Sequence, residues 1–452
     1  MRHIEETSRT TPVLCDTDVV VVGGGPGGLA AAVCAAREGV RTTLVDRYGC
    51  FGGVITQVGV ESVAWYRHEG TTDVEGIGIE FEQRAKALGG TQPEPQSQSE
   101  ALDPELFKCV ADELVREAGV QPLLRCLAVE PILEGGAVAG VVTESKSGRQ
   151  AILAQRVIDA SGDADIAYRA GAPCRTTPVA EMMGVTVMFS CSGVDRERFF
   201  DYIKTSAPTY KDWGASWRIE TGGKEADLFS PFLQEPFDLA RRAGIIPESI
   251  TSIGGTWSRI SESGEATGLN LVYLSGYDCT DVVDLTRAEI EGRRQVLLAI
   301  EALRRFAPGF AGARLRNFGM TLGTRDSRKI VGRYDLTARD VRQEARFADS
   351  VGIFPEFIDG YGTLVLPTTG RYFHVPYGVL VPRGVENLLV AGRCVAGDRI
   401  AHAATRSQMC CALTGQAAGV AAAVSLKAGT TPGAVDVARV QDALERQGVR
   451  LS

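Results

Sequence analysis

The chain has 452 residues, a formal net charge of −8, 44% hydrophobic and 23% charged residues. That length suffices for two to three domains with real cores, and the charged fraction excludes wholesale disorder. The acidic balance argues against nucleic acid as a partner, which would need clustered Lys and Arg, but a local basic pocket for a small molecule remains compatible with it.

The opening stretch MRHIEETSRTTPVLCD is polar and lacks the apolar core of a secretory signal. Eleven cysteines at irregular spacing, with no Cys-x-x-Cys, fit free thiols in a reducing cytoplasm better than a zinc or iron–sulfur centre. No metal site is expected.

Residues 18–46 carry a strand–helix–strand pattern. DVVVV reads as a buried parallel strand, LAAAVCAARE as a helix stopped by Gly39, and VRTTLVD as a second strand ending at Asp46. Between them, Gly23, Gly24, Gly25, Pro26, Gly27 and Gly28 match G-x-G-x-x-G. Gly23 permits the tight turn, Gly25 lets a pyrophosphate approach the backbone, and Gly28 lets helix and strand pack closely. The helix N-terminus offers free N–H groups and a positive dipole end. A carboxylate at Asp46 can accept from both ribose hydroxyls. Glycines alone are weak testimony, but strand, helix and acid in this order indicate a dinucleotide, without deciding between flavin and nicotinamide. A second glycine pair, Gly52-Gly53, can bring backbone beside a long cofactor.

Residues 89–100 read as a polar loop. Asp103 as N-cap, Pro104 at the first helical position and Gly119 as stop predict a helix over 103–118. Three runs over 121–159, LLRCLAV, EGGAVAGVVTE and SGRQAILAQRVIDA, predict a β-meander feeding a strand that ends at Asp159. Residues 175–370 hold most of the aromatics and read as a separate domain. Thr286 and Glu289 form a capping-box pattern, predicting a helix to about Phe306. Strand, Gly-rich turn and apolar helix return over 371–428. The run Cys410–Leu426, interrupted by Thr414 and Gln416, is too short for a membrane span and reads as a core helix.

Four stretches together resemble the FAD-dependent oxidoreductase family, within the glutathione-reductase-type flavoprotein group. They are DVVVVGGGPGGLAAAVCAAREG with GCFGG; Val157–Asp163, with Ser161 where that group usually has threonine; LGTRDSRKIVGRYDLTARDV (322–341); and YFHVPYGVLVP (372–382) with ENLLVAGRCVAG and GQAAGVAAA. The resemblance implies an α/β fold: a Rossmann-like FAD-binding domain of parallel sheet and β-meander from 14–174 and 371–430, an inserted α+β substrate domain at 175–370, and a C-terminal tail or helix at 431–452. It implies non-covalent FAD, with a candidate cofactor set of Gly23, Gly25, Pro26, Gly27, Gly28, Asp46, Arg47, Gly52, Gly53, Ser161, Gly162, Asp163, Gly392 and Arg393. Gly415, Ala417, Ala418 and Gly419 read equally well as plain helix packing.

The expected chemistry is hydride transfer from a small organic molecule to flavin N5, by a dehydrogenase or oxidase whose electrons pass to oxygen or an external acceptor. His374 and His402 are the candidate proton carriers, with Tyr377 behind them. Arg325 and Arg406 are candidates to clamp a substrate carboxylate. Cys50 lacks the nearby partner that a disulfide reductase needs. The string Gly397–His402 imitates an aromatic-hydroxylase motif only loosely, so a monooxygenase using external NAD(P)H is the alternative. No second G-x-G-x-x-G in a strand–helix setting points to a built-in nicotinamide site. A non-catalytic flavin-binding or redox-sensing protein is the reading from another class. Neither nucleic acid nor membrane is expected as partner, and a homo-oligomer is allowed.

Overall fold

In the computed structural model, residues 3–4, 7–63, 65–68, 71–72, 74–93, 99–206, 217–220, 232–366 and 370–452 are described. Residues 94–98 of the expected polar loop lie outside them. Val19–Val22 are buried on both faces of a sheet, which is why that run is continuously apolar. They end β1 (Val13–Val22), which leads through the glycine turn into α1 (Pro26–Arg37) and β2 (Thr42–Asp46), parallel to β1. Beyond a helix over Ile77–Ala87, the helix α2 (Pro104–Ala118) has the expected ends. The Asp103 carboxylate accepts from Glu105 N–H at 2.9 Å and Leu106 N–H at 3.1 Å, and Gly119 closes the helix at φ 71°.

The run LLRCLAV is two strands rather than one. β3 (Gln121–Leu124) pairs in parallel with β2. Arg125 then adopts φ 54° and breaks the extended path. β4 (Leu127–Glu134), β5 (Ala137–Ser145) and β6 (Gly148–Asp159) form the antiparallel meander, and β6 from Ala151 to Asp159 runs parallel beside β1. The sheet order is therefore β3-β2-β1-β6-β5-β4.

A second, antiparallel sheet contains β7 (Phe189–Ser192), β8 (Ile253–Thr256), β9 (Ala266–Leu274) and β10 (Arg314–Phe318), in the order β8-β9-β7-β10. The helix packed on it, α3 (Val282–Phe306), starts earlier than the capping-box pattern suggested. Its N-cap is Asp281, whose carboxylate accepts from Val283 and Asp284 N–H, so Thr286 lies inside the helix and donates to Val282 O. Asp281 prevails because its short side chain reaches two orphan amides at once.

The chain then forms β11 (Ser350–Pro355), paired with β12 (Tyr372–Pro376), and β13 (Leu388–Val390), which joins β6 in parallel. Three helices follow: α4 (Arg399–Thr405), α5 (Gln408–Lys427) and α6 (Val437–Arg446). Two apolar clusters divide the molecule. The one around the second sheet draws on residues from Val185 to Leu322. Ile330, Leu336, Val351, Phe354 and Ile358 belong to the first-sheet cluster instead, so the expected border at 370 shifts toward 322. Val440, Ala443 and Leu444 of α6 are buried in that same cluster.

α5 has 20 residues, more than expected, and its length and composition alone would allow a membrane span. However, 94% of its most apolar window is buried inside the protein. It crosses α1 at close range. A methyl on Gly415 would lie 1.9 Å from Gly27 O, and one on Gly419 would lie 2.2 Å from Ala31 O. Packing against α1 is thus what these small residues do.

Candidate active site

The turn after β1 is shaped by its glycines in different ways. Gly23 sits at φ 100°, with its N–H bonded to Val45 O at 2.8 Å. A methyl on Gly28 would fall 1.6 Å from Gly23 O, so this glycine sets the helix–strand approach. A methyl on Gly25 would meet nothing nearer than Gly53 Cα at 3.8 Å, so this position faces open space. No side chain caps α1 and its first turn holds no acidic residue, which leaves its amides and dipole for an anion. Gly52 N–H donates to Gly24 O at 2.7 Å and braces the turn from behind. The Asp46 carboxylate accepts from Gly24 N–H at 2.6 Å and Tyr48 N–H at 2.7 Å, and burial pushes it above its usual range. Each oxygen keeps a lone pair for a hydroxyl donor.

This turn lines one end of an elongated cavity of about 840 Å³. Every candidate cofactor residue lines it except Gly28 and Gly52, which lie behind the turn. Midway, Arg393 Nη2 pairs with Asp163 Oδ1 at 2.7 Å, and Ser327 Oγ bridges the two. The loop carrying Ser161 and Gly162 is held by Asp159, which the sequence reading passed over. One Asp159 oxygen accepts from the N–H and hydroxyl of Ser161, the other from Ile166 and Ala167 N–H. Its place at the end of an apolar strand, just before the Ser-Gly turn, was the available signal. Gly392, at φ 78°, donates its N–H to Thr414 Oγ1 on α5.

The far end is lined by the second sheet and by segments leading into α4 and α5. Arg325 donates to Gly184 O at 3.2 Å and Asn270 Oδ1 at 3.3 Å, and lies over the Tyr273 ring at 4.9 Å. Thr186 donates to the same Asn270 oxygen. Arg406 pairs with Asp359 at 3.0 Å. Asn270, Thr186 and Tyr273 were not anticipated, because no local motif marks residues that only strand pairing brings together.

The histidine and Tyr377 expectations are corrected by side-chain direction. His402 points away from the cavity. Its Nε2 bonds Arg325 O at 2.9 Å, and burial, with Lys329 nearby, pushes it well below its usual pKa. Asp326, fully buried, accepts from Lys329 Nζ at 2.6 Å and Tyr361 OH at 2.5 Å, completing a polar network behind Arg325. On β12, His374 accepts from Phe347 N–H at 3.1 Å, and burial lowers its pKa. Tyr377 OH donates to Pro432 O at 2.8 Å, and burial raises it. None of the three lines the cavity. Cys411 does, but burial pushes its thiol up to about 12, so it is not a ready thiolate.

A parallel βαβ unit whose bare glycine turn opens into a large cavity, lined at the other end by a separate sheet, defines a dinucleotide-dependent protein. The chain belongs to the FAD-dependent oxidoreductase family, whose model matches residues 18–444. It is an enzyme and its cofactor is FAD. Among curated proteins, it is 50% identical over 44 residues to dihydrolipoyl dehydrogenase 2 of Arabidopsis thaliana, 10% of this chain and 9% of that one. It is 31% identical over 165 residues to thiamine thiazole synthase of Methanococcus vannielii, 33% of this chain and 57% of that one. The matched region is thus about a tenth of the dehydrogenase's length. Solved structures with a similar outline include a geranylgeranyl bacteriochlorophyll reductase-like protein of Thermoplasma acidophilum (TM-score 0.47, 14% identity, covering 96% of this chain and 82% of that one). Another is a myxobacterial chondrochloren halogenase (TM-score 0.48, 12% identity, 96% and 79%).

Proposed function

We propose that the enzyme is a dehydrogenase or oxidase of a small organic molecule, held at the second-sheet end of the cavity, and that its electrons pass to oxygen or an external acceptor. We further place it in the glutathione-reductase-type flavoprotein group, on the parallel sheet followed by a meander and the Ser161-Gly162-Asp163 turn. The observation that carries the activity is the single cavity. It runs from the glycine turn to polar side chains of a different sheet, so cofactor and substrate can share one enclosure.

Gly23, Gly25, Gly27 and the start of α1 would hold the diphosphate, and Asp46 a ribose. Bound FAD supplies a two-electron carrier. The second sheet orients the substrate and walls it from water. With both histidines turned away, Tyr273 is the proton donor or acceptor at this end. Its oxygen accepts Gly184 N–H at 2.7 Å, leaving the hydroxyl proton free to move.

The test is acid release and mass identification of the bound flavin, then anaerobic photoreduction and stopped-flow reoxidation with oxygen and a quinone. About one FAD per chain and rapid reoxidation by at least one acceptor are expected. A flavin that neither acceptor reoxidises would return the reading to a non-catalytic sensor, and NAD(P)H consumption stimulated by substrate would favour the monooxygenase.

A further inference from the structure

Arg325 stands out by what it lacks. Its guanidinium lines the cavity, yet its bonds go to a backbone carbonyl and an amide oxygen, both neutral. Asn270 Oδ1 already accepts from Thr186 as well, so that oxygen has little more to offer. Among the described residues no carboxylate lies within ion-pair distance of Arg325. From the middle of the cavity to the second-sheet end the neighbouring cations are balanced: Asp359 pairs with Arg406, Asp163 with Arg393, and Asp238 with Arg241; Arg47, at the glycine-turn end, lies over the Tyr48 ring instead. Two guanidiniums therefore face one carboxylate at the second-sheet end, and one positive charge is left over.

A guanidinium cannot discharge itself by losing its proton in a protein, so the surplus charge persists. Partly withdrawn from solvent in the cavity wall, it is costly unless an anion completes it. The protein has also fixed its orientation. Tyr273 lies under its plane, Gly184 O and Asn270 hold its edges, and His402 anchors the Arg325 carbonyl from behind. Beside it, Arg406 Nε is buried without a hydrogen-bond partner. A fixed planar fork suits a planar two-oxygen anion better than a point charge would.

We propose that the substrate is a small organic carboxylate, bound at its carboxylate by the fixed Arg325 guanidinium. This rests on the reading that the cavity holds FAD and substrate together. Arg325 is thus a substrate-binding residue, and the buried Asp326–Lys329–His402 group is a positioning device for it.

The experiment is isothermal titration of the flavin-loaded protein with two isosteric pairs, benzoate against benzamide and isobutyrate against isobutyramide, with bound flavin quantified separately. The carboxylate should bind at least tenfold more tightly than its amide in at least one pair. Arg325→Gln should reduce that preference to within about twofold while keeping its flavin, and Arg325→Lys should retain part of it. Absence of any preference in the wild-type protein overturns the proposal whether or not the variants fold. So does a preference that survives in Arg325→Gln, or an Arg325→Gln protein that loses flavin with its preference intact. Carboxylate preference in protein that cannot bind FAD would uphold the anion site and sink the reading beneath it. Bound FAD with no preference does the reverse.

Discussion

Two glycines of one motif should fail in opposite ways. Gly25 lies at φ −67° and ψ −177°, a conformation any residue adopts, and an added methyl would point into the cavity with its nearest neighbour at 3.8 Å. Gly25→Ala should therefore fold as well as wild type, or up to about 1 kcal/mol better through a less flexible unfolded chain. The same methyl occupies the space a diphosphate needs, so FAD affinity should fall at least tenfold, about 1.4 kcal/mol. In Gly28→Ala the methyl would lie 1.6 Å from a backbone oxygen that cannot swing aside. Strand and helix must separate, at or above the roughly 3 kcal/mol upper range of ordinary overpacking. That corresponds to a Tm loss of roughly 6 °C or more on the scale of a 150–250-residue cooperative unit. Calorimetry of flavin-stripped protein reads the fold, and quenching of FAD fluorescence on titration reads the affinity. If Gly25→Ala lowers the Tm of the stripped protein as much as Gly28→Ala, or binds FAD like wild type, the division of labour within the turn is refuted.

Asp163→Asn and Arg393→Met should each cost about 1–3 kcal/mol, because each leaves a part-buried charge unpaired, and the double variant should cost less than the two singles combined; chemical denaturation of the four proteins checks this. His374→Asn should leave flavin content and turnover within about twofold. His402→Asn should lose about 1–3 kcal/mol of stability with its carbonyl bond, and wild-type turnover should show no His limb near pH 6.5. Glu61 is held at about 7 by burial, which outweighs the attraction of Arg259. Because the folded pKa lies above the unfolded one, its contribution is fully present below about pH 4.5 and is lost as pH rises through 7, by up to about 3 kcal/mol. Urea melts of Glu61→Gln and wild type at pH 5 and pH 8 should therefore diverge in favour of the variant at pH 8; a constant difference would contradict the assignment.

The features readable in the sequence are those that act locally. The turn after β1 is legible because each glycine answers a steric demand within a few residues, and α2 because Asp103, Pro104 and Gly119 cap it from its own flanks. Arg325 and Arg406 were also legible, as cations in a family stretch, and the structure brings both to the cavity. The histidines were not. His374 and His402 lie on the right segments, but strand register and helix face decide where an imidazole points, and neither is fixed by neighbours in sequence. Asn270 and Thr186 meet only because distant strands pair, and the domain border shifted because Ile330 and Phe354 bury themselves in the apolar cluster of the first sheet rather than that of the second. The start of α3 turned on competition between two adequate caps, Asp281 and Thr286, which a pattern alone does not rank.

The contact of Gly415 with Gly27, and of Gly419 with Ala31, has a consequence for how the protein is made. The glycine turn leaves the ribosome hundreds of residues before the helix that buttresses it. During most of synthesis the nascent turn lacks its brace, and such a distant pairing carries a loop-closure cost that must be met before it is rewarded. Closure of the first domain must therefore wait for α5 and takes place around an already emerged second one. Fragments ending before α5 would leave the ribosome with the complete glycine motif and without the helix that packs against it.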